Sequence, residues 1–469
     1  MDALVAVTDT IDTYMYTYFL VFLLIFTGLY FSIRTKFIQF RGFKDMIRHL
    51  TEHKHVPGKK SVSSFQALMV STASRVGTGN IAGVATAIAV GGPGAVFWMW
   101  VMATISSASA FIESTLAQIW KIRGENGEFR GGPAYYIQQA LHSRALGVVF
   151  AISLLLCFGL GFNGLQTYNM SSSLQAYIPN YTQTAAPMAL GILLAVVFAF
   201  IIFGGTRLIS YMTSVIVPTM AGGYILLTII LSIMNIGELP GIFATIVTEA
   251  FDFSSVVGGF AGSMVVQGIK RGLFSNESGL GSAPIVASAA STRNPARQAL
   301  VSMTGTFWDT VVICALTGIV LVSTMLAHSE VVDQIASGSI TAGAQLTSAA
   351  FASIPYVGTP ILVVGMILFS YSTILGWSYY GNRCAAYLFG KHAVRPYQVL
   401  YVLAAFVGSL GVANVVWNAS DVANALMAVP NIIVVLLLSG LIARETRHYV
   451  YSGNLDEAST DEIPQHADK

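Results

Sequence analysis

Charge is what this chain has least of. Only 10% of its 469 residues are Asp, Glu, Lys or Arg, where a soluble domain carries roughly 25%. That shortage excludes an ordinary soluble fold. With 54% hydrophobic residues, it points to an all-α polytopic membrane protein. Cysteine is almost absent. Cys157, Cys314 and Cys384 lie in or at the ends of apolar runs and form no disulfide or metal-ligand spacing, so they read as buried apolar side chains. The N-terminus, MDALVAVTDTIDTY, has acids but no basic n-region, which excludes a cleavable signal peptide. Catalytic signatures are missing too. There is no HExxH, GxSxG or Walker A pattern, and no His cluster within an apolar run. The chain therefore does not read as an enzyme, and no cofactor or nucleic-acid partner is expected. His49, His53 and His55 share a basic loop, where contact with water or lipid headgroups is expected rather than a metal site. Asp456–Asp468 reads as a short disordered acidic tail.

What is present is apolar and periodic. Eleven runs are long enough to span: Tyr18–Ser32, Ser64–Val90, Ala95–Ile119, Leu146–Thr167, Met188–Gly204, Ile209–Ile233, Val256–Ala289, Ala299–Leu326, Thr359–Ala386, Gln398–Val416 and Val422–Ala443. The segment Val331–Phe351, rich in Ser, Ala and Gly, reads as a re-entrant or surface helix. The few charges are sorted by side. Counted over alternate loops and the C-terminal segment, 21 of the 24 basic residues fall on one face. Arg75, Lys270 and Arg271 lie within runs. The opposite loops hold Asp2, Asp9, Asp12, Glu238, Glu249, Asp252, Glu330, Asp333 and Asp421, and no Lys or Arg. By the positive-inside rule the N-terminus is outside and the C-terminus cytoplasmic, in a multi-pass cell membrane protein.

Two runs are poor helices. Ser71–Gly83 reads STASRVGTGNIAG. Each of Gly77, Gly79 and Gly83 weakens it by roughly 1 kcal/mol relative to Ala, and Arg75 costs at least about 2.5–3.5 kcal/mol near the bilayer centre. The seventh run carries RGLFSNESGLGSAP from Arg271 to Pro284. Such segments persist in a membrane only where the broken backbone is buried in protein or lines a cavity. One interrupted run alone is ordinary helix packing. Two, opening corresponding sets of five, are the sequence mark of an inverted repeat with a ligand site at its centre. The organisation expected is residues 1–60 for the N-terminus, first helix and basic loop, 61–235 for repeat 1, 254–445 for repeat 2, and 446–469 for the tail. Two broken helices in one chain favour a single occluded site over the continuous pore of an ion channel.

These motifs carry a resemblance. Gly77-Thr78-Gly79-Asn80-Ile81-Ala82-Gly83, Gly91-Gly92-Pro93-Gly94, Gly131-Gly132-Pro133 with Tyr135-Tyr136, and Arg271-Gly272-Leu273-Phe274-Ser275-Asn276-Glu277 with Gly279 and Gly281-Ser282-Ala283-Pro284 resemble the alanine/glycine:cation symporters, also called sodium:alanine symporters, over essentially the whole chain. More distantly, Val76–Asn80 is similar to the broken first helix of neurotransmitter:sodium symporters. The resemblance implies a LeuT-like, APC-type fold of about 11 helices, one extra N-terminal helix plus a 5+5 inverted repeat. It also implies sodium-coupled (in some members proton-coupled) uptake of alanine, glycine and similar small neutral amino acids.

Such a ligand sets chemical demands. A carboxylate needs donors at a half-helix N-terminus, for which Thr78, Gly79 and Asn80 are the candidates; the alternative for Thr78 is a hydroxyl bonded to its own helix. The ammonium needs acceptors, and the unwound carbonyls of Phe274–Gly279 provide them, with the Ser275 and Asn276 side chains in reserve. Phe162 and Trp377 are candidate apolar walls, with Asn163 and Gln166 one helical face along, although aromatics also simply pack. By resemblance, the carbonyls of Ala73 and Val76 face the hydroxyls of Ser372 and Thr373 around sodium; hydroxyls also back-bond within helices. Asn80 serves either a second ion or as a polar strut. Arg75 needs a partner, and Glu113 or Glu277 is expected as its structural ion pair. Glu277 or Asp309, as a proton carrier, would instead run coupling on protons. Lys270 and Arg271 line a wet vestibule or pair with these acids.

Overall fold

A computed structural model covers the chain and describes residues 7–8, 10–11, 13–50, 62–124, 127–178, 180–234, 236–252, 264–336, 343–352, 356, 358–411 and 414–459. The start of the seventh run, the loop residues His53, Lys54, His55, Lys59 and Lys60, the acids Asp2, Asp9 and Asp12, and the tail beyond Ser459 lie outside the described residues.

Helices dominate because apolar side chains recur without break over long stretches. Among the described residues, eight helices are long and apolar enough to span: α5 (Ala95–Ile119), α6 (Arg144–Ser172), α7 (Ala186–Phe203), α8 (Gly205–Ile233), α12 (Pro295–Ala327), α14 (Gly358–Phe389), α15 (Lys391–Leu410) and α16 (Asn418–Leu437). Shorter apolar helices are α1 (Tyr18–Arg34), α4 (Thr78–Gly91) and α9 (Leu239–Glu249). The second run divides into α3 (Ser64–Arg75) and α4. The seventh divides into α10 (Met264–Asn276) and the one-turn α11 (Ala283–Ala287). Both interruptions fall at the Gly-rich motifs. The amphipathic α2 (Phe43–Leu50) and a two-stranded antiparallel hairpin, β1 (Ile122–Arg123) with β2 (Phe129–Arg130), decorate the face of the basic loops.

Helix ends follow local chemistry. Ser63 and Gln66 form a reciprocal capping box at the start of α3, both bonds 3.1 Å, satisfying two of its orphan donors. Asn294 caps α12 by accepting the Arg297 N–H at 3.0 Å, with Pro295 next, the preferred order at a helix start. Helices α6 and α12 each contain a π-helical stretch, Leu155–Gly161 and Phe307–Cys314, of the kind that re-aims side chains at functional sites.

Helix α5 lies at the centre, packed by α1, α10 and α12, while α3 is held between α8 and α14. Helices α5, α14 and α16 are mostly buried; α7 and α8 are mostly exposed although more apolar. Residues such as Phe200, Leu193 and Ile230 face outward, the pattern of a lipid-facing surface. The expected surface or re-entrant segment includes α13 (Gly343–Ala352). Its Leu346 and Ala350 pack with Val84 and Ile88 of α4, so it lids the second half of the first broken helix. Helix α9 was not expected from the sequence. Its C-terminal end is so close to Gly94 that a Cβ there would lie 2.5 Å from the Ala250 nitrogen.

Three expectations are corrected. His49 is buried, not solvated; burial, with Arg297 and Arg48 nearby, pushes its pKa down to about 4. Asn163 turns away from the breaks and donates to the Tyr401 carbonyl at 2.8 Å. The start of the acidic tail is ordered: Leu455 is buried and Asn294 donates to the carbonyls of Leu455 and Glu457 at 2.8 and 3.0 Å.

Candidate functional site

The first break begins at Val76, which leaves the helical region, and Gly77, which is extended. Their backbone groups need new partners in a region without water. The Gly77 N–H goes to Asn80 Oδ1 at 2.8 Å. The Val76 carbonyl accepts from Thr373 Oγ1 at 3.2 Å, and Ser372 Oγ, whose proton goes to the Phe369 carbonyl of its own helix at 3.0 Å, lies 3.4 Å away; both hydroxyls are on α14. Helix α14 comes this near because Gly376 sits against Ser74, where a Cβ would be 2.7 Å from the Ser74 nitrogen. A Cβ on Gly77 would meet Thr373 Oγ1 at 2.5 Å, so only glycine fits there. Ala73 is fully buried one turn back on α3. Thr78 does not bond within its own helix. Its hydroxyl donates to Gln166 Oε1 at 2.9 Å and accepts from Asn169 Nδ2 at 3.1 Å, tying α4 to α6.

Gly79 and Phe274 are only half-buried, and a Cβ at Gly79 would meet the Phe274 ring at 3.5 Å. The surface therefore reaches the first break beside α10. An aromatic cluster closes this region: Phe162 packs edge-on to Phe274 at 4.9 Å between centroids, and Trp377 stacks near Phe158 and Phe162 at 5.0 and 6.0 Å. Phe162 and Gly79 thus both meet Phe274, with Trp377, the other wall expected from the sequence, behind Phe162.

Three buried acids hold the breaks. Glu277 sits at φ +53, a left-handed conformation that costs a non-glycine residue roughly 1–2 kcal/mol. Its carboxylate accepts from Trp377 Nε1 and Ser282 Oγ, both at 2.8 Å, while Ser74 Oγ and Tyr380 OH, bonded to each other at 2.6 Å, lie 3.3 and 3.4 Å from it. It thereby joins both breaks to α14. Glu113 on α5 accepts the Gly279 N–H at 3.1 Å and the Asn431 amide, which also donates to the Gly279 carbonyl at 3.0 Å. Tyr136 OH donates in turn to Asn431. Asp309, in the π stretch of α12, accepts from Asn80 Nδ2 at 2.7 Å, Ser275 Oγ at 2.8 Å and Thr310 Oγ1 at 2.7 Å.

These bonds correct several expectations. Among the described residues no carboxylate lies within 4 Å of Arg75, whose guanidinium makes one long bond of 3.5 Å to Thr306 Oγ1. Glu113 and Glu277 are filled by neutral donors instead, although Arg75 acts on both, and on Asp309, through space. The Gly279 N–H is committed to Glu113, and its carbonyl accepts one bond, from Asn431. The Ser275 hydroxyl is committed to Asp309, and Asn276 turns its amide to Ser106 at 3.4 Å and its oxygen to the Ser278 N–H at 3.0 Å. Asn80 is oriented by the Gly77 N–H so that its nitrogen, not its oxygen, faces Asp309. Lys270 and Arg271 are half-buried on α10. The sequence reading missed Asn431, Tyr380, Ser74 and Asn169. Asn431, one of two amides in the last apolar run and next to Pro430, was the legible signal among them.

The sequence model of the sodium:alanine symporter family matches residues 1–462. A protein described as the sodium/alanine symporter AgcS, of Methanococcus maripaludis, is 40% identical over 452 residues, 95% of this chain and 97% of the relative. The amino-acid carrier protein AlsT of Bacillus subtilis is 43% identical over 437 residues, 92% and 89% of the two chains. Among solved structures, MhsT in complex with L-phenylalanine superposes with a TM-score of 0.59 at 16% identity, over 85% of this chain and 95% of that one. This last likeness is one of fold.

Asn431→Leu leaves the Glu113 carboxylate and the Gly279 carbonyl short of a donor. The expected loss is about 2–3 kcal/mol of stability, read as a lowered thermal midpoint in detergent, whereas Asn431→Gln recovers part of it.

Proposed function

The chain belongs to the sodium:alanine symporter family, and from that premise we propose that it takes up alanine, glycine and similar small neutral amino acids by sodium-coupled symport. The observation that carries this reading is the Val76 carbonyl. It is freed by the break and met by two hydroxyls from another helix, a set of three hard oxygens of the type a small cation prefers. Sodium entering there takes lone pairs from Val76, Ser372 and Thr373 as the hydroxyl protons turn away; Ala73, one turn earlier, contributes its carbonyl. The amino acid lies beside Gly79. Its carboxylate faces the start of α4 at Thr78–Asn80, where the helix dipole favours negative charge. Its side chain meets Phe162 and Phe274, with Trp377 behind, and Gln166 fixes the Thr78 end. The ammonium takes unwound carbonyls near Phe274.

The wider architecture follows the same reading. Helices α3 to α8 form one set of five crossings, and α10 with α11 through α16 form the second, each opened by a broken helix; α1 is the extra crossing. The basic-loop face is cytoplasmic, so α3 enters from inside and α4 completes the crossing outward. Alternating access then rocks parts of this bundle about the paired breaks.

Uptake of labelled alanine into proteoliposomes is expected to require an inward sodium gradient. Uptake driven as well by a proton gradient without sodium would move coupling to a buried acid such as Asp309. Thr373→Val should raise the half-saturating sodium concentration at least tenfold, with Thr373→Ser near normal; an unchanged sodium dependence places the ion elsewhere. Gly79→Leu should abolish alanine binding in a folded protein, and binding that survives it removes the amino acid from this break.

A further inference from the structure

The inner ends of both broken helices meet in one short junction. Val62 pairs with Ala290, and the Ser291 N–H donates to the Val62 carbonyl at 3.1 Å. Val62 leads directly into the capped start of α3, while Ala290 follows α11. From this junction the chain runs through Arg293 and Asn294 into α12. Across it lies the C-terminal segment. The Asn294 amide donates to the carbonyls of Leu455 and Glu457, the Ser459 N–H to the Arg293 carbonyl at 2.8 Å, and Arg293 Nη1 to the Asp456 carbonyl at 3.0 Å. The Asp456 carboxylate bridges Arg297 of α12 at 3.2 Å and Arg48 of α2 at 3.4 Å. On the other side the segment is moored to the first helix. Tyr451 OH donates to the Thr35 carbonyl at 2.5 Å, with the Arg41 guanidinium 4.7 Å from its ring.

We propose that Leu455–Ser459 is a latch that holds the inner ends of the two broken helices closed against α1 and α2, and that it must release Arg293–Asn294 before the inner face opens. The proposal rests on the alternating-access reading above. Its mooring at Tyr451 is to the scaffold, whereas its far end grips the segment that carries both breaks. The grip is made of a few peptide-level hydrogen bonds, one buried leucine and two ion pairs of Asp456, one with an arginine more than half exposed and one with the nearly buried Arg297. Exposed pairs such as the first hold weakly, which suits a contact remade in every cycle.

Two measurements on the full transporter test this. Ala67, on the first turn of α3, is 1% exposed, so Ala67→Cys reports inner opening through its reaction rate with a charged thiol reagent; the native cysteines are buried. Removing residues 455–469 is expected to speed that reaction at least fivefold, and an unchanged rate overturns the latch. In the second, Arg293→Cys with Ser459→Cys places two thiols on strands already joined by a backbone bond, within the reach of a disulfide. Oxidation should cut sodium-driven alanine uptake at least tenfold, reversibly with dithiothreitol, while alanine binding persists. Failure of the disulfide to form, or normal uptake once it has formed, overturns the proposal. Absence of sodium-driven uptake in the unmodified protein instead overturns the transport reading, which the thiol-reaction rate does not depend on.

Discussion

A helix broken inside a membrane exposes N–H and C=O groups that no water can reach, and everything near the centre of this protein answers that demand. The answer is three carboxylates, each serving a break. Glu277 takes a tryptophan and a serine, with a bonded serine–tyrosine pair beside it; Glu113 takes a backbone N–H and an amide; Asp309 takes an amide and two hydroxyls. An ionised carboxylate only accepts, with roughly four lone-pair sites. It can therefore collect donors from several helices at once, which a serine or an amide cannot. Charge-assisted bonds of this kind are about twice as strong as neutral ones. The positive φ of Glu277 persists because the bonds around it fix the backbone from three elements.

Arg75 follows from the same constraint. A contact pair with any one acid would take that acid away from its donors and loosen a break. With no carboxylate among the described residues within 4 Å, the guanidinium acts on all three acids through space. In a medium of effective dielectric about 20, unit charges still interact by about 2 kcal/mol at roughly 8 Å. One cation thus acts on three acids at once while each stays with its hydrogen-bond partners. The side chain lies close to the backbone of α12, where a Cβ on Gly305 would meet Arg75 Nη1 at 2.4 Å, so its position is set by packing as well as by charge.

The spans and both breaks were legible because hydrophobicity, glycine and isolated charge are local properties. So was the meeting of Val76 with Ser372 and Thr373, through the family resemblance. What was not legible is tertiary. Nothing around Glu113 announces that it will bond a backbone N–H 166 residues away. Asn163 and Gln166 share a helix face on paper, yet three residues leave about 60° between their directions, enough to put one on Tyr401 and the other on Thr78. The start of the tail was misread because its acidic composition predicts solvation, while one buried leucine and the Asn294 amide decide otherwise.

The two kinds of contact differ in what they permit. Bonds to Glu277, Glu113 and Asp309 are buried and cooperative, and removing a partner leaves a polar group without compensation, at a cost of about 1–3 kcal/mol or more. At the inner rim the Asp456–Arg48 pair is more than half exposed on both sides, and such pairs contribute about 0–1 kcal/mol. A transporter that alternates between faces must keep its ligand site assembled while its ends come apart. Strong acceptors at the breaks and weak ones at the inner rim are the distribution that allows this. A bundle strained toward opening yields first at the rim, and the breaks travel as assembled units.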